Sequence, residues 1–173
     1  MLTDSNQPPP ISTEDMMEVC ARFMDSESYS GLVNSSFDPE GPEAPGICRE
    51  YRYWERSLRN DLTVLRANAQ SLDPGGYLRP AAAVFGTEST AHEVMAISSP
   101  LEAELYLDAC RWAKIDELVY GHFFDLEFLR GYKMKLEILE RHAMFEEEKG
   151  FDAYREIYAR VLSASGTEIP MGV

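Results

Sequence analysis

The 173-residue chain carries 30 acidic and 16 basic side chains, a formal charge of −14 at pH 7, with 45% hydrophobic and 27% charged residues. This is globular composition with room for one domain or two very small ones, long enough to bury a core without disulfide or metal staples. The net negative field repels phosphate backbones and anionic lipid, which excludes nucleic acid and a membrane surface as first partners.

The longest apolar run, Ala81 to Phe85, falls far short of the roughly 20 residues a spanning helix needs, so no direct membrane insertion is expected. The opening Met1-Leu2-Thr3-Asp4-Ser5 has neither the basic start nor the apolar stretch of a secretory signal. A cytoplasmic location follows as the expectation, with Cys20, Cys48 and Cys110 as buried, reduced thiols, since no CxxC pair is present. Charge is uneven: residues 1 to 46 balance to −8, residues 47 to 99 to zero and residues 100 to 173 to −6. The middle is where an acidic partner could dock.

Residues 1–46 read as an extended proline-led lead-in, a short helix and a flexible acidic linker. Pro8-Pro9-Pro10 cannot continue a helix. Ser12 followed by Asp15 then suggests an N-cap, and Met16, Val19, Cys20, Phe23 and Met24 recur at helical spacing. The prolines and glycines from Ser35 to Gly46 predict the linker. From Ile47 the stripe Ile47, Tyr51, Trp54, Leu58, Leu62, Leu65, Ala69 predicts one helix of about 24 residues, ended by Asp73-Pro74-Gly75-Gly76. Shorter helices are expected after Pro80 and after Thr87. A long one from Pro100 carries Leu101, Leu105, Trp112, Ile115 and Val119.

Gly121 breaks that helix, Asp125 can cap the next, and Leu129, Tyr132, Leu136, Leu139 and Ala143 form its stripe, with Glu137 and Arg141 paired on the outer face. Gly150 ends it, a last helix uses Phe151, Tyr154, Ile157, Tyr158 and Val161, and residues 164–173 form a frayed tail. Residues 47–163 are then the body. The expected fold class is all-α, a helical bundle or right-angled helical stack of about six to seven helices.

Catalytic motifs are scarce. No GxxxxGK[ST] or GxGxxG occurs, the residues three before His92, His122 and His142 are Ser89, Val119 and Leu139, and His92-Glu93 is followed by Ala96 where HExxH needs histidine. No cofactor, metal or nucleotide is expected, and no catalytic residue. The densest polar group is Asp116, Glu117, His122, Asp125 and Glu127. Two carboxylates and a histidine are the parts of an acid–base site, which makes a small cytosolic helical enzyme the alternative function. The plainer reading solvates Asp116 and Glu117, makes Asp125 an N-cap and packs His122 beside Phe123 and Phe124.

On the first long helix, Arg52, Arg56, Arg59 and Arg66 fall within an arc of about 80° flanking the apolar stripe. Such a row covers apolar surface with its stems and offers guanidinium forks at its rim, either to acids of the later helices or to an acidic partner helix.

The segment Leu58-Arg59-Asn60-Asp61-Leu62-Thr63-Val64-Leu65-Arg66-Ala67, with Ala109-Cys110-Arg111-Trp112, Leu136-Glu137-Ile138-Leu139-Glu140-Arg141 and Glu148-Lys149-Gly150, resembles a bacterial family encoded among the subunits of V/A-type rotary ATPases in spirochaetes, chlamydiae and Bacteroidetes. The resemblance runs from Trp54 to Leu162 in the family's order and spacing. Pro8-Pro9-Pro10-Ile11-Ser12 also resembles its early region, while the tyrosine-rich apolar opening of that family has no counterpart here. More distantly, Asn60, Leu65, Arg66 and Pro74-Gly75-Gly76-Tyr77-Leu78 are similar to a helical motif of the rotor-cap subunit of archaeal-type enzymes, the one that covers the membrane rotor ring and seats the central stalk. The resemblance implies a non-catalytic ATP synthase subunit or accessory factor in ion or proton transport. It implies contacts with other subunits of the ATPase and a position peripheral to the membrane through that complex; the candidate partner-binding residues are Arg59, Asn60 and Arg66 of the shared motif, with Arg52 and Arg56 from the arginine row. A stator or assembly component is the next role in line.

Overall fold

The computed structural model describes residues 8–38, 40, 41, 45–144, 157 and 160. Among these residues the chain forms α1 (Thr13–Phe23), α2 (Ser26–Val33), α3 (Ile47–Ala69), a 3₁₀ turn (Gly75–Tyr77), α4 (Thr87–Met95), α5 (Pro100–Leu118) and α6 (Leu126–Ala143), and no strand. The fold is all-α. Two compact units divide the chain, Met1–Glu140 and Arg141–Val173. Of the second, only residues 141–144, 157 and 160 are described. Residues 1–7, part of the linker, Gly150, the rest of the expected final helix and the tail lie outside the described residues; Ile157 and Arg160 are helical.

The apolar stripe of α3 builds the main core. Ile47, Tyr51, Trp54, Leu58 and Leu62 are buried, and Leu65 packs partly against them. They meet Ala91 and Val94 of α4, Leu107, Trp112 and Ile115 of α5, and Met134, Ile138 and Leu139 of α6. A second cluster joins Met16 of α1 and Leu32 of α2 to Leu136 of α6. Helix α6 therefore lies between two apolar clusters, and even its cations are drawn in. Lys135 places Nζ 4.5 Å from the Trp112 ring centroid and 2.5 Å from Asp116. Lys133 donates to the Ser35 carbonyl and, at 2.8 Å, to Glu137.

The structure departs from the sequence expectations at four places. Helix α2 is an addition within the lead-in to the linker. The helix expected after Pro80 is absent, because Val84 N–H donates to the Ser57 hydroxyl at 2.9 Å and the chain passes extended into Gly86 at φ 90°. Glu137, expected on an outer face, turns to Ser36 Oγ at 3.0 Å and Phe37 N–H at 3.1 Å. Leu101 is exposed, and the buried face of α5 instead carries Leu107, Asp108, Arg111, Trp112 and Ile115. Of the cysteines, Cys48 is buried and Cys20 and Cys110 are half-buried, all three as free thiols. Burial pushes each thiol above its ordinary value.

Close helix contact rests on Gly131, where a β-carbon would overlap Cγ1 of buried Val119. A β-branched side chain is stiff at χ1 and cannot swing away. Gly131→Ala is expected to cost about 1–3 kcal/mol as overpacking. Chemical denaturation measures it, and an unchanged midpoint would show that α5 and α6 can separate freely.

Candidate partner interface

The five candidate partner-binding residues, from the arginine row and the shared motif, do not share one role. Arg52 donates to the Gly41 carbonyl at 3.0 Å, Arg56 lies 3.9 Å from Glu40, and Arg59 lies 3.9 Å from Asp38 and 2.9 Å from Glu55. The first three arginines of the row thus engage the acidic segment that precedes α3. Among the described residues Arg59 makes no ion pair with the later helices. That brace exists with the charges reversed: Glu55 of α3 receives Arg111 of α5 at 2.9 Å, and Arg111 also reaches Asp108 at 2.7 Å. Burial opposes the Arg111 charge, but Glu55, Tyr51 and Asp108 outweigh it and hold the guanidinium above its ordinary value. Beside this cluster the Tyr51 hydroxyl is buried without a hydrogen-bond partner among the described residues, and burial followed by the Glu55 charge pushes it well above the usual phenol range.

Asn60 points away from the stripe and clamps a returning loop. Its amide donates to the Arg79 carbonyl at 2.8 Å, and its carbonyl accepts from Arg79 N–H at 3.0 Å. The chain after α3 reverses through a left-handed Ser71 (φ 57°), with Leu72 N–H bonding Ala67 O at 2.9 Å and Ser71 N–H bonding Asn68 O at 3.1 Å. That is the paired-bond helix stop usually built on glycine. The reversal carries the Pro74-Gly75-Gly76-Tyr77 turn back beside α3. Arg66 is exposed there and forms no ion pair among the described residues. It lines a groove of about 350 Å³ with Thr63, Gln70, Leu72, Tyr77 and Arg79. Leu72 and Tyr77 are 54% and 68% exposed, so this end of α3 offers the Arg66 guanidinium beside bare apolar surface, while Arg79 is paired with Glu40 at 2.8 Å.

The Asp116 to Glu127 group does not assemble. Asp116 binds Lys135, and Glu117 binds Lys114 at 2.8 Å. Asp125 caps α6 by accepting from Phe128 N–H at 3.0 Å, with His122 Nδ1 2.6 Å from its other oxygen. His122 is thus tied to Asp125, while Phe123 and Phe124 stand exposed. Glu127 caps a different helix: its carboxylate accepts from Ile47 N–H at 2.9 Å and from Arg130 at 2.5 Å, supplying the cap that Gly46, at φ 66°, lacks. No group of three His, Cys, Asp or Glu side chains able to hold a metal ion occurs among the described residues. No helix among them is long and apolar enough to cross a membrane.

Two cap carboxylates set an acid response. The His122 ring and then Phe128 N–H hold Asp125 below its ordinary value, and Ser28 does the same for Asp25, the cap of α2. A carboxylate depressed in the folded state stabilises it above the unfolded value, and that contribution is lost as pH falls through the folded one. The Asp25→Asn, Asp125→Asn double variant keeps both caps, so its melting temperature should fall less than that of the parent between about pH 5 and 3. Parallel curves would contradict the assignment.

Residues 88–165, which begin within α4 and run through α5 and α6 and beyond, are similar to a family described as a protein of unknown function (DUF2764). No curated protein matches the chain, and no solved structure does.

Proposed function

We propose that the protein is a non-catalytic subunit or accessory factor of a bacterial V/A-type rotary ATPase. In this reading it is cytoplasmic, peripheral to the membrane through the complex, and couples the membrane rotor to the central stalk in the manner of the rotor-cap subunit. Support comes from the resemblance between Trp54 and Leu162, and one structural observation carries the reading. Arg66, Tyr77 and Arg79 converge on a single groove, and Asn60 clamps the backbone that brings them together. Arg66 and Tyr77, both within stretches marked by the resemblance, thereby share one exposed surface with Arg79, on which Arg66 is the cation without an ion pair among the described residues and Arg79 is paired with Glu40. An acidic helix of a stalk or ring subunit is the partner it suits. The enzyme reading draws less support, since Asp116 and Glu117 each bind a lysine and Asp125 and Glu127 each cap a helix.

Arg66→Ala tests this directly. Because Arg66 is exposed and unpaired among the described residues, the substitution should change stability by less than about 0.5 kcal/mol. Co-purification of ATPase subunits should fall sharply. A lowered melting temperature would make Arg66 a structural brace, and retained co-purification would remove the groove from the interface.

A further inference from the structure

A second groove, of opposite charge, is built by the α1–α2 junction and the start of α6, whose Glu127 caps α3 at Ile47. Gly121, at φ 88°, ends the approach from α5, and His122, Phe123 and Phe124 lead into the Asp125 cap of α6. There Phe123, Phe124, Leu126 and Leu129 face Phe23 and Met24, from the α1–α2 junction, across a groove of about 510 Å³. Phe23, Phe123 and Phe124 are 84%, 65% and 104% exposed. Three bare phenylalanines around one groove form an apolar patch of the kind that marks an interaction site, and aromatic side chains are enriched where proteins meet.

The charges around the groove have one sign. Asp25 and Asp125 line it, and no lysine or arginine does. Arg22, next to Phe23 in sequence, is paired with Glu18 at 3.4 Å. Both aspartates cap helices, and their hydrogen bonds hold them ionised well into the acid range. The cap bonds from Glu27 and Ser28 to Asp25, and from Phe128 to Asp125, also fix the two loops that present the phenylalanines, so little ordering cost remains on binding.

We propose that this groove docks an amphipathic helix of a partner protein, with apolar anchors at i, i+3 or i+4 and i+7 and lysine or arginine flanking them. The carboxylates select the flanks and the phenylalanines take the anchors. The two grooves share no residue. The proposal is independent of the ATPase reading, since it rests on neither Arg66 nor the resemblance.

The test uses the full chain and two fluorescein-labelled helical peptides of about 18 residues, five turns, identical in their leucine and phenylalanine face and differing only in lysine or glutamate flanks. Fluorescence anisotropy should show saturable binding of the lysine peptide and at least about tenfold weaker binding of the glutamate peptide. The Phe123→Ser, Phe124→Ser variant, which alters exposed positions and should keep its melting temperature, should lose binding. Asp25→Asn, Asp125→Asn should weaken it severalfold with both caps intact. Absence of saturable binding, equal binding of the two peptides, binding that survives loss of both phenylalanines, or an affinity unchanged by loss of both charges overturns the proposal. Light scattering that shows a concentration-dependent dimer abolished by Phe124→Ser also overturns it, assigning the groove to a second copy of this chain.

Discussion

Replacing Glu55 with alanine is expected to lower stability by about 3–5 kcal/mol, the range for removing one partner of a buried ion pair. Glu55 and Asp108 are fully buried and Arg111 nearly so, so the guanidinium would lose the acceptor it meets at 2.9 Å with no water to replace it. Arg59 would lose its partner as well. Exchanging Glu55, Asp108 and Arg111 together for methionine and leucine should cost much less, since such sets are replaceable by packed apolar groups. Denaturant midpoints read both variants. A single substitution costing under about 1 kcal/mol would mean that the site is wet.

Leu62→Ala should cost about 2–5 kcal/mol, the range for a buried leucine. Leu62 is 4% exposed within the α3 stripe and belongs to the main core. A loss under about 0.5 kcal/mol in urea unfolding would place the stripe at the surface, against the packing described.

The stripe of α3 was legible because seven apolar positions over 23 residues define one face, and burial of that face decides where the helix sits. Helix α2 offered no such signal. It is Ser26–Val33, eight residues with three serines and a glycine among its first six, and Leu32 is its one buried side chain. An Asp25 cap and the packing of Leu32 hold it, and neither shows as periodicity. The alanines after Pro80 suggest a helix by propensity, but Ser57 and Thr87, far apart in sequence, capture Val84 N–H and C=O.

Buried charge was the larger gap. A hydrophobic pattern assigns Glu55, Asp108, Arg111, Lys133 and Lys135 to solvent, whereas all five are buried. One clue was present: Glu55 sits within about 60° of the stripe centre, and Asp108 and Arg111 share a helix face at i,i+3. Acids and a base on facing apolar stripes are the signature of an internal brace. The candidate groove was partly legible. The helical spacing puts Arg66 at the stripe's edge and the structure leaves it exposed, but the Asn60–Arg79 clamp depends on a chain reversal that no local pattern encodes.

The central claim is membership in a rotary ATPase, and affinity purification of the tagged chain from its own cells tests it most directly. Membranes solubilised gently at low salt, where electrostatic contacts are least screened, should yield the chain with catalytic and stalk subunits of a V/A-type ATPase in fixed proportion. Recovery of the tagged chain as a clean monomer, without those subunits, would contradict the account.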